Sequence, residues 1–289
     1  MTDGTFREAV LRALAEDHAA DDVTTKLLGA AGDARAAARF VAEERFVVAG
    51  LPVVERVFAE LDPDAILCVE TPEGVWTEPG AVIVTVHAQA RALLAGERVA
   101  LNFLQHLSGV ATATRRAVDR VAGTRARITH TRKTTPGLRA LECYAVVVGG
   151  GVLNRAHLGA AVMWKDNHWA LLGATGKPLS ELLAAARPEL PVVVEVETVT
   201  ELDAALAAGA RHLLIDNQPP ERLAEWARLA GPGVEIQASG GITPESARPY
   251  AEAGATLISI GGLTHSAPAA AARSELALPP VPRPAPGGA

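Results

Sequence analysis

Nine consecutive residues, Thr131-Arg132-Lys133-Thr134-Thr135-Pro136-Gly137-Leu138-Arg139, carry three cations and three hydroxyls. An arginine offers a planar fork to a carboxylate or phosphate, and a lysine offers a compact charge. Pro136 and Gly137 fix the backbone of this loop, and a strand-like run, Arg127-Ile128-Thr129, precedes it. Clustered donors on such supports favour anion capture over a solvated basic loop. Further on stand Gly149-Gly150-Gly151, Arg155 and Lys165-Asp166-Asn167-His168. The glycines permit either close backbone approach or a simple turn. Lys165 ends a short strand-like run from Val162, whereas His168 alone reads more readily as structural than as catalytic.

Glu195 and Asp216 lie at the ends of two further apolar runs, 192–196 and 212–216. Two carboxylates at one rim can hold Mg²⁺, engage sugar hydroxyls or stabilise positive charge developing at a sugar carbon. Pairing with a nearby lysine or arginine is the alternative. Ala238-Ser239-Gly240-Gly241-Ile242 and Gly261-Gly262 follow the last two strand-like runs. Small-residue turns of this kind, the first leading toward a helix at Pro244, present backbone N–H groups to a phosphate. Two successive glycine turns match the usual phosphate position of βα barrels, a stronger signal than either turn alone.

Strand and helix alternate through this half of the chain at about 20-residue spacing, which predicts parallel βα units. Strands are expected at 127–129, 162–164, 192–196, 212–216, 234–238 and 257–260, and helices at 138–148, 179–186, 199–208, 220–229 and 244–253. Reacting groups of βα barrels sit at the C-terminal strand ends, so Lys165, Glu195, Asp216, Ser239 and Gly261 are expected on one rim. The earlier residues read differently. A helix over 5–16, strand-like runs at 37–42, 46–50, 66–69 and 81–86, and helices at 52–61 and 91–122 suit an α+β domain. The expected organisation is an α+β domain over 1–111, an α/β barrel over 112–272 and a terminal segment over 273–289. The last of these ends in a Pro-rich tail from Pro279, expected to be disordered.

Composition narrows the function. A net charge of −6 gives no basic field for nucleic acid, yet a local basic pocket remains possible. Cys68 and Cys143 allow at most one disulfide and lie in no zinc-ligand spacing. No signal-peptide pattern opens the chain and no run of 18 apolar residues occurs, so no membrane span and a reducing cytoplasm are expected.

The segments Glu97-Arg98-Val99-Ala100-Leu101-Asn102, Leu107-Ser108-Gly109-Val110-Ala111-Thr112, TRKTTPGLR at 131–139, Tyr144-Ala145-Val146, GGG at 149–151, KDNH at 165–168, Asp216-Asn217 and ASGGI at 238–242 occur in this order. Together with Glu16-Asp17 and Asp22-Val23-Thr24-Thr25 they resemble the quinolinate phosphoribosyltransferase family, also called carboxylating nicotinate-nucleotide pyrophosphorylases. The resemblance runs from about residue 6 to about residue 270, and TRKTTPGLR with KDNH is its most specific part. It implies an N-terminal sandwich domain and an open α/β barrel of the type II phosphoribosyltransferase kind. It implies a homodimer in which one subunit's N-terminal domain covers the other's barrel. It also implies a pentosyltransferase of NAD biosynthesis that converts quinolinate and phosphoribosyl pyrophosphate to nicotinate mononucleotide, CO₂ and pyrophosphate with Mg²⁺.

Carried over by position, the resemblance assigns Arg98 of the neighbouring subunit, Arg132, Asn154, Arg155 and Lys165 to the acid. Lys133 and Lys165 face the pyrophosphate, Glu195 and Asp216 contact ribose and metal, and Ser239, Gly240, Gly241, Gly261 and Gly262 cradle the 5-phosphate. Lys133, Lys165, Glu195 and Asp216 are the expected catalytic set. The chain departs from the family pattern mainly at the acid end. Asn154 stands for a histidine, Leu153 for a polar residue, Cys143 for a lysine and His130 for an acidic residue. Ala160 replaces a frequent aspartate, and Val193 and Gln237 replace glutamates. An active quinolinate enzyme is preferred over a paralogue acting on a related ring acid and over a non-catalytic homologue, because the loss of one hydrogen bond to a charged group costs only about 1.5–3 kcal/mol.

Overall fold

The computed structural model describes residues 3–186 and 188–277. The chain opens with α1 (Asp3–Glu16) and α2 (Val23–Lys26), followed by β1 (Arg35–Ala42), β2 (Phe46–Val47), α3 (Leu51–Leu61), β3 (Ile66–Val69), β4 (Trp76–Thr77), β5 (Val82–Gln89) and the long α4 (Ala90–Arg120). Next come β6 (Arg127–Thr129), α5 (Arg139–Val148), β7 (Val162–Trp164), α6 (Asp166–Leu172), α7 (Leu179–Ala184), β8 (Val192–Val196) and α8 (Val199–Ala207). The series closes with β9 (His212–Asp216), α9 (Pro220–Ala230), β10 (Glu235–Ser239), α10 (Ala247–Glu252), β11 (Leu257–Ser259), α11 (Gly262–His265) and β12 (Ala272–Ala277). The described residues form two compact units, 3–112 with 268–277, and 113–267, divided inside α4. Among them, no helix is long and apolar enough to cross a membrane.

The first unit is built on an antiparallel sheet in the order β12-β1-β5-β3. Alternate residues of β1, Ala36, Ala38 and Phe40, are buried, as the two-residue period of a half-covered strand requires. Phe40 meets Phe58 of α3 edge to face, with ring centroids 6.0 Å apart, beside the buried Val53, Val54 and Val57. Residues 268–277 correct the expected boundary at 272. β12 runs along the edge of β1, from Ala37 opposite Ala277 to Ala42 opposite Ala272, so this segment is a strand of the first unit and not a free terminus. Its approach is held by Gln105, whose side-chain amide donates to the Ala272 carbonyl at 2.7 Å and whose backbone carbonyl accepts from the Ala270 N–H at 2.9 Å. Gly109 is needed there, because an added Cβ would lie 2.1 Å from the Pro268 carbonyl oxygen. The Pro-rich tail lies outside the described residues.

The second unit is a six-stranded sheet in the order β6-β11-β10-β9-β8-β7, with every neighbouring pair parallel. β6 and β7 stand at its two ends, so it is an open α/β barrel. Val194, Val196, Leu213, Ile215, Ile236, Ala238 and Ile258 are buried, the near-continuous apolar content of strands covered on both faces. The crossover helices carry clear end signals. Thr198 and Glu201 form a reciprocal capping box at α8, and α9 starts at Pro219-Pro220 and stops at Gly231 with φ 73°. Two expectations are corrected. The helix expected from Pro244 begins at Ala247, after a turn in which Thr243 and Ser246 bond each other, so the glycines at 240–241 do not sit directly on a helix end. Residues 166–172, not read as an element, form α6.

Candidate active site

Strand register aligns the polar strand ends. Glu195 lies opposite Leu214 and Leu214 opposite Gln237, and two residues further along their strands Asp216 lies opposite Ser239. Because alternate strand residues share a face, this register sends Glu195, Leu214, Asp216, Gln237 and Ser239 to the same side. They line one cavity of about 330 Å³ with Thr131, Arg132, Lys133, Asn154, Arg155, Met163, Lys165 and Ser259. That volume suits a small ligand.

The loop after β6 is held at several points. Lys133 N–H donates to the Thr131 hydroxyl at 3.0 Å, Thr135 N–H to the Glu142 carboxylate at 3.1 Å, and the Thr264 hydroxyl to the Lys133 carbonyl at 2.7 Å. Arg139 bonds the Thr134 hydroxyl and the Ala156 carbonyl, each at 3.1 Å, which ties this loop to the one carrying Asn154 and Arg155. A loop braced in this way presents its cations without a large ordering cost when an anion arrives.

Charge in the cavity is unevenly satisfied. Lys165 pairs with the buried Glu195, so the carboxylate–lysine pairing alternative holds for that residue. Burial pushes the Glu195 carboxyl above its ordinary range; Lys165 opposes that shift, while Asp216 and Asp166 add to it. Arg155 is pulled below the ordinary guanidinium range, first by burial and then by the neighbouring Arg132, with Glu195 opposing the shift. The buried Nε of Arg132 has no hydrogen-bond partner. Two arginines held close enough to repel, one with an unspent buried donor, form an arrangement that an anion completes.

Carboxylate oxygens of Glu195, Glu197 and Asp216 all lie within 4.8 Å of one another. Glu197 is absent from the sequence reading; it lies just past the end of β8, two residues after Glu195, where a continued strand period would keep it on the same side. The cavity-lining Thr131, Met163, Leu214, Gln237 and Ser259 were likewise not singled out as site residues.

The other expected residues are placed as follows. Lys133 and Ser239 line the cavity. Gly261 lies close to Lys133, with 3.4 Å from an added Cβ to the lysine Cδ, and Gly262 begins α11. Gly240 and Gly241 have φ of 93° and 62°, which L side chains rarely adopt, and Gly240 packs directly on Asn217. Arg98 is exposed on α4 in the first unit and is not among the lining residues. His168 serves the backbone: its Nδ1 accepts from Lys165 N–H at 3.0 Å at the start of α6. Trp169 of α6 then donates to the Glu195 carbonyl at 2.8 Å, fixing the helix to the strand that carries the carboxylate. Both cysteines are free, Cys68 exposed and Cys143 buried.

Two sequence families match the chain, described as the N-terminal domain of quinolinate phosphoribosyl transferase over residues 22–108 and its C-terminal domain over 110–271. A Mycobacterium leprae protein named nicotinate-nucleotide pyrophosphorylase, carboxylating, is 42% identical over 267 residues, covering 90% of this chain and 93% of that protein. A human protein of the same name is 39% identical over 248 residues, covering 84% and 82%. The solved structure of NadC from Streptococcus pyogenes superposes with a TM-score of 0.89 at 34% identity, covering 96% of this chain and 98% of that one.

Proposed function

The chain belongs to the quinolinate phosphoribosyltransferase family, and from this we infer that it transfers the phosphoribosyl group of phosphoribosyl pyrophosphate to quinolinate with decarboxylation. It is then a pentosyltransferase of NAD biosynthesis. The observation that carries the reading is that Arg132 and Arg155, with an unpartnered buried guanidinium nitrogen on Arg132, line the same cavity as Glu195 and Asp216. A dianionic ring acid suits the first group, and a sugar carbon gaining positive charge suits the second.

The reaction asks little of a base. The bond from the sugar carbon to pyrophosphate breaks as the ring nitrogen bonds to that carbon. The carboxylate next to the nitrogen then leaves as CO₂, its electron pair held beside the positively charged nitrogen until the ring carbon takes a proton. Arg132, Arg155 and Lys165 orient the acid so that its nitrogen faces the sugar, a gain in proximity. Glu195 and Asp216 oppose the positive charge at the sugar carbon, and Lys133 receives the departing pyrophosphate. Ser239 and the glycines at 240, 241, 261 and 262 receive the 5-phosphate.

An oxygen-only trio of carboxylates, Glu195, Glu197 and Asp216, fits a hard cation such as Mg²⁺. When bound there, the ion would neutralise charge on the diphosphate. The reading also takes the working unit as a homodimer in the cytoplasm, with Arg98 of the partner subunit added to the acid's contacts.

The direct test is to incubate the purified protein with quinolinate, phosphoribosyl pyrophosphate and Mg²⁺. Nicotinate mononucleotide, CO₂ and pyrophosphate should form in equal amounts, and chelation of the metal should suppress them reversibly. Folded protein that makes no product at high concentration would end the reading. A related ring acid as the true acceptor is favoured by one observation: the Asn154 amide is bonded to backbone at both ends. A panel of pyridine acids decides between the two by which shows the highest kcat/KM.

A further inference from the structure

Three of the departures from the family pattern, at positions 130, 143 and 154, stand apart in sequence but meet in space. His130 is fully buried at the end of β6. Its Nδ1 lies 3.1 Å from the Thr131 carbonyl, which can only accept, and 3.6 Å from Cys143 Sγ on α5. Its Nε2 accepts from the backbone N–H of Asn154 at 3.1 Å. Both ring nitrogens therefore demand the same species, a neutral imidazole with its proton on Nδ1. The Asn154 side chain completes the link: its amide donates to the His130 carbonyl at 3.2 Å, and its oxygen accepts from the Arg155 N–H at 2.8 Å. Val152 is already paired with the end of β6, through its N–H to the Ile128 carbonyl at 2.8 Å and its carbonyl to the Thr129 hydroxyl at 2.7 Å. The imidazole is thus the last clamp between the β6 end, which leads to Arg132, and the segment that ends in Arg155.

We propose that His130, as the neutral Nδ1–H tautomer, is a positioning residue for acid recognition that holds Arg155 in place through Asn154. The proposal rests on the reading of this cavity as the ring acid's site. Asn154 acts here on the backbone, and the cation next to it makes the contact. Cys143 fits the same scheme as a small uncharged neighbour. Its thiol is pushed up to about 11, by burial first and then by Glu142, so it stays protonated and adds no charge beside the ring. Among the described residues, Arg139 and Cys143 of α5 act on the ring directly, Glu142 acts on Cys143, and Arg132 and Arg155 lie along the two segments that the ring joins. Burial, with Arg139 adding to it, lowers the imidazole below its ordinary range. The clamp therefore persists at neutral pH and opens as pH falls through that lowered value. A proton on Nε2 would then face the Asn154 N–H, donor against donor.

The test uses the full chain. His130→Phe keeps a buried ring and removes both hydrogen bonds. KM for quinolinate should rise about tenfold, the worth of one such bond, while kcat and KM for phosphoribosyl pyrophosphate stay within about twofold. Asn154→Ala should do the same, and the double variant should be no worse than either single one. In the unsubstituted protein KM for quinolinate should climb at acidic pH, and H130F should remove that climb relative to its own neutral value. An unchanged KM, an equal rise in both KM values, or multiplying effects of the two substitutions would overturn the proposal. The ring can also be read without turnover or substitution. Nitrogen-15 shifts of the free protein should show His130 protonated on Nδ1 only, and an Nε2–H tautomer overturns the proposal even if H130F does not fold. Absence of product from the unsubstituted enzyme would instead sink the proposed reaction, leaving the tautomer measurement to decide the clamp.

Discussion

Two cavities among the described residues are nearly equal in size, about 330 Å³ in the second unit and about 360 Å³ in the first, and they differ in how their charges are spent. In the first unit Asp22 accepts from the N–H groups of Thr24 and Thr25 at 3.0 Å each, Lys26 pairs with Asp21 at 2.9 Å and Arg91 pairs with Asp33. Each charge of that lining already has a partner. In the second unit, among the described residues, Arg132, Arg155 and Lys133 make no ion pair with a carboxylate, and the Arg132 Nε is buried without any acceptor. Volume does not separate the two; unspent charge does. A buried donor left open costs stability, and on a braced loop beside two unpaired cations that cost suits a site where an anion would supply the missing acceptor.

The strongest way to break this contrast is at Arg132. Arg132→Ala should lower kcat/KM for the acid about 100-fold, since a hydrogen bond to a charged group is worth about 1.5–3 kcal/mol. Arg132→Lys should recover only part of it, because the lysine lacks the fork. Steady-state kinetics with the acid varied measures both, and a loss below threefold in R132A would remove the distinction between the cavities. Glu195→Gln comes next. It keeps the shape but removes the charge facing the sugar and the partner of Lys165, so kcat should fall about 10- to 100-fold with smaller changes in KM. An unaltered kcat would mean that Glu195 serves only to hold Lys165.

The glycine turn offers a structural test of the same rim. An added Cβ at Gly240 would lie 2.5 Å from the Asn217 backbone nitrogen and 2.8 Å from its Cα, and Gly240 has φ 93°. Gly240→Ala should therefore cost about 1–3 kcal/mol of stability, seen as a lower Tm, and should raise KM for phosphoribosyl pyrophosphate. Gly241→Ala meets open space at φ 62° and should cost less, about 1–2 kcal/mol. Equal melting temperatures for the two variants would show that the turn has room to shift.

Much of the second unit was legible in the sequence because its signals are local. The runs at 192–196 and 212–216 coincide with β8 and β9, and the polar residues at their ends mark the rim. What stayed hidden depends on partners distant in sequence. Ala272–Ala277, with Arg273 and Glu275 among alanines, has no pattern of its own; it becomes a strand because β1 offers an edge. α6 begins without a serine, threonine or aspartate cap, and is started instead by the Lys165 backbone and the His168 ring, which hid it behind a motif read for chemistry. Glu197 lies in the bend after β8, beyond the apolar run that marks the strand, and only the fold brings its carboxylate to within 4.8 Å of those of Glu195 and Asp216. His130, Cys143 and Asn154 stand out one by one as unusual residues, but only the packing of α5 and the 152–155 segment against the end of β6 makes them a single cluster.

The smallest effect is expected where the charges are already paired. Arg91 and Asp33 are both about half exposed, at 49% and 57% of the side chain, so solvent screens their attraction. Such a pair contributes about 0.2–1 kcal/mol. Arg91→Ala should lower the Tm by only a few degrees and leave kcat and both KM values within about twofold, because the lost partner is replaced by water and the open volume of that cavity merely grows. The contrast with R132A is the point of the measurement. Both substitutions remove a guanidinium from a cavity of similar size, but one ends an exposed pair while the other removes an open buried donor. Should R91A reduce turnover as strongly as R132A, satisfied charge would no longer distinguish a bystander cavity from the site, and the first unit's cavity would itself belong to the reaction.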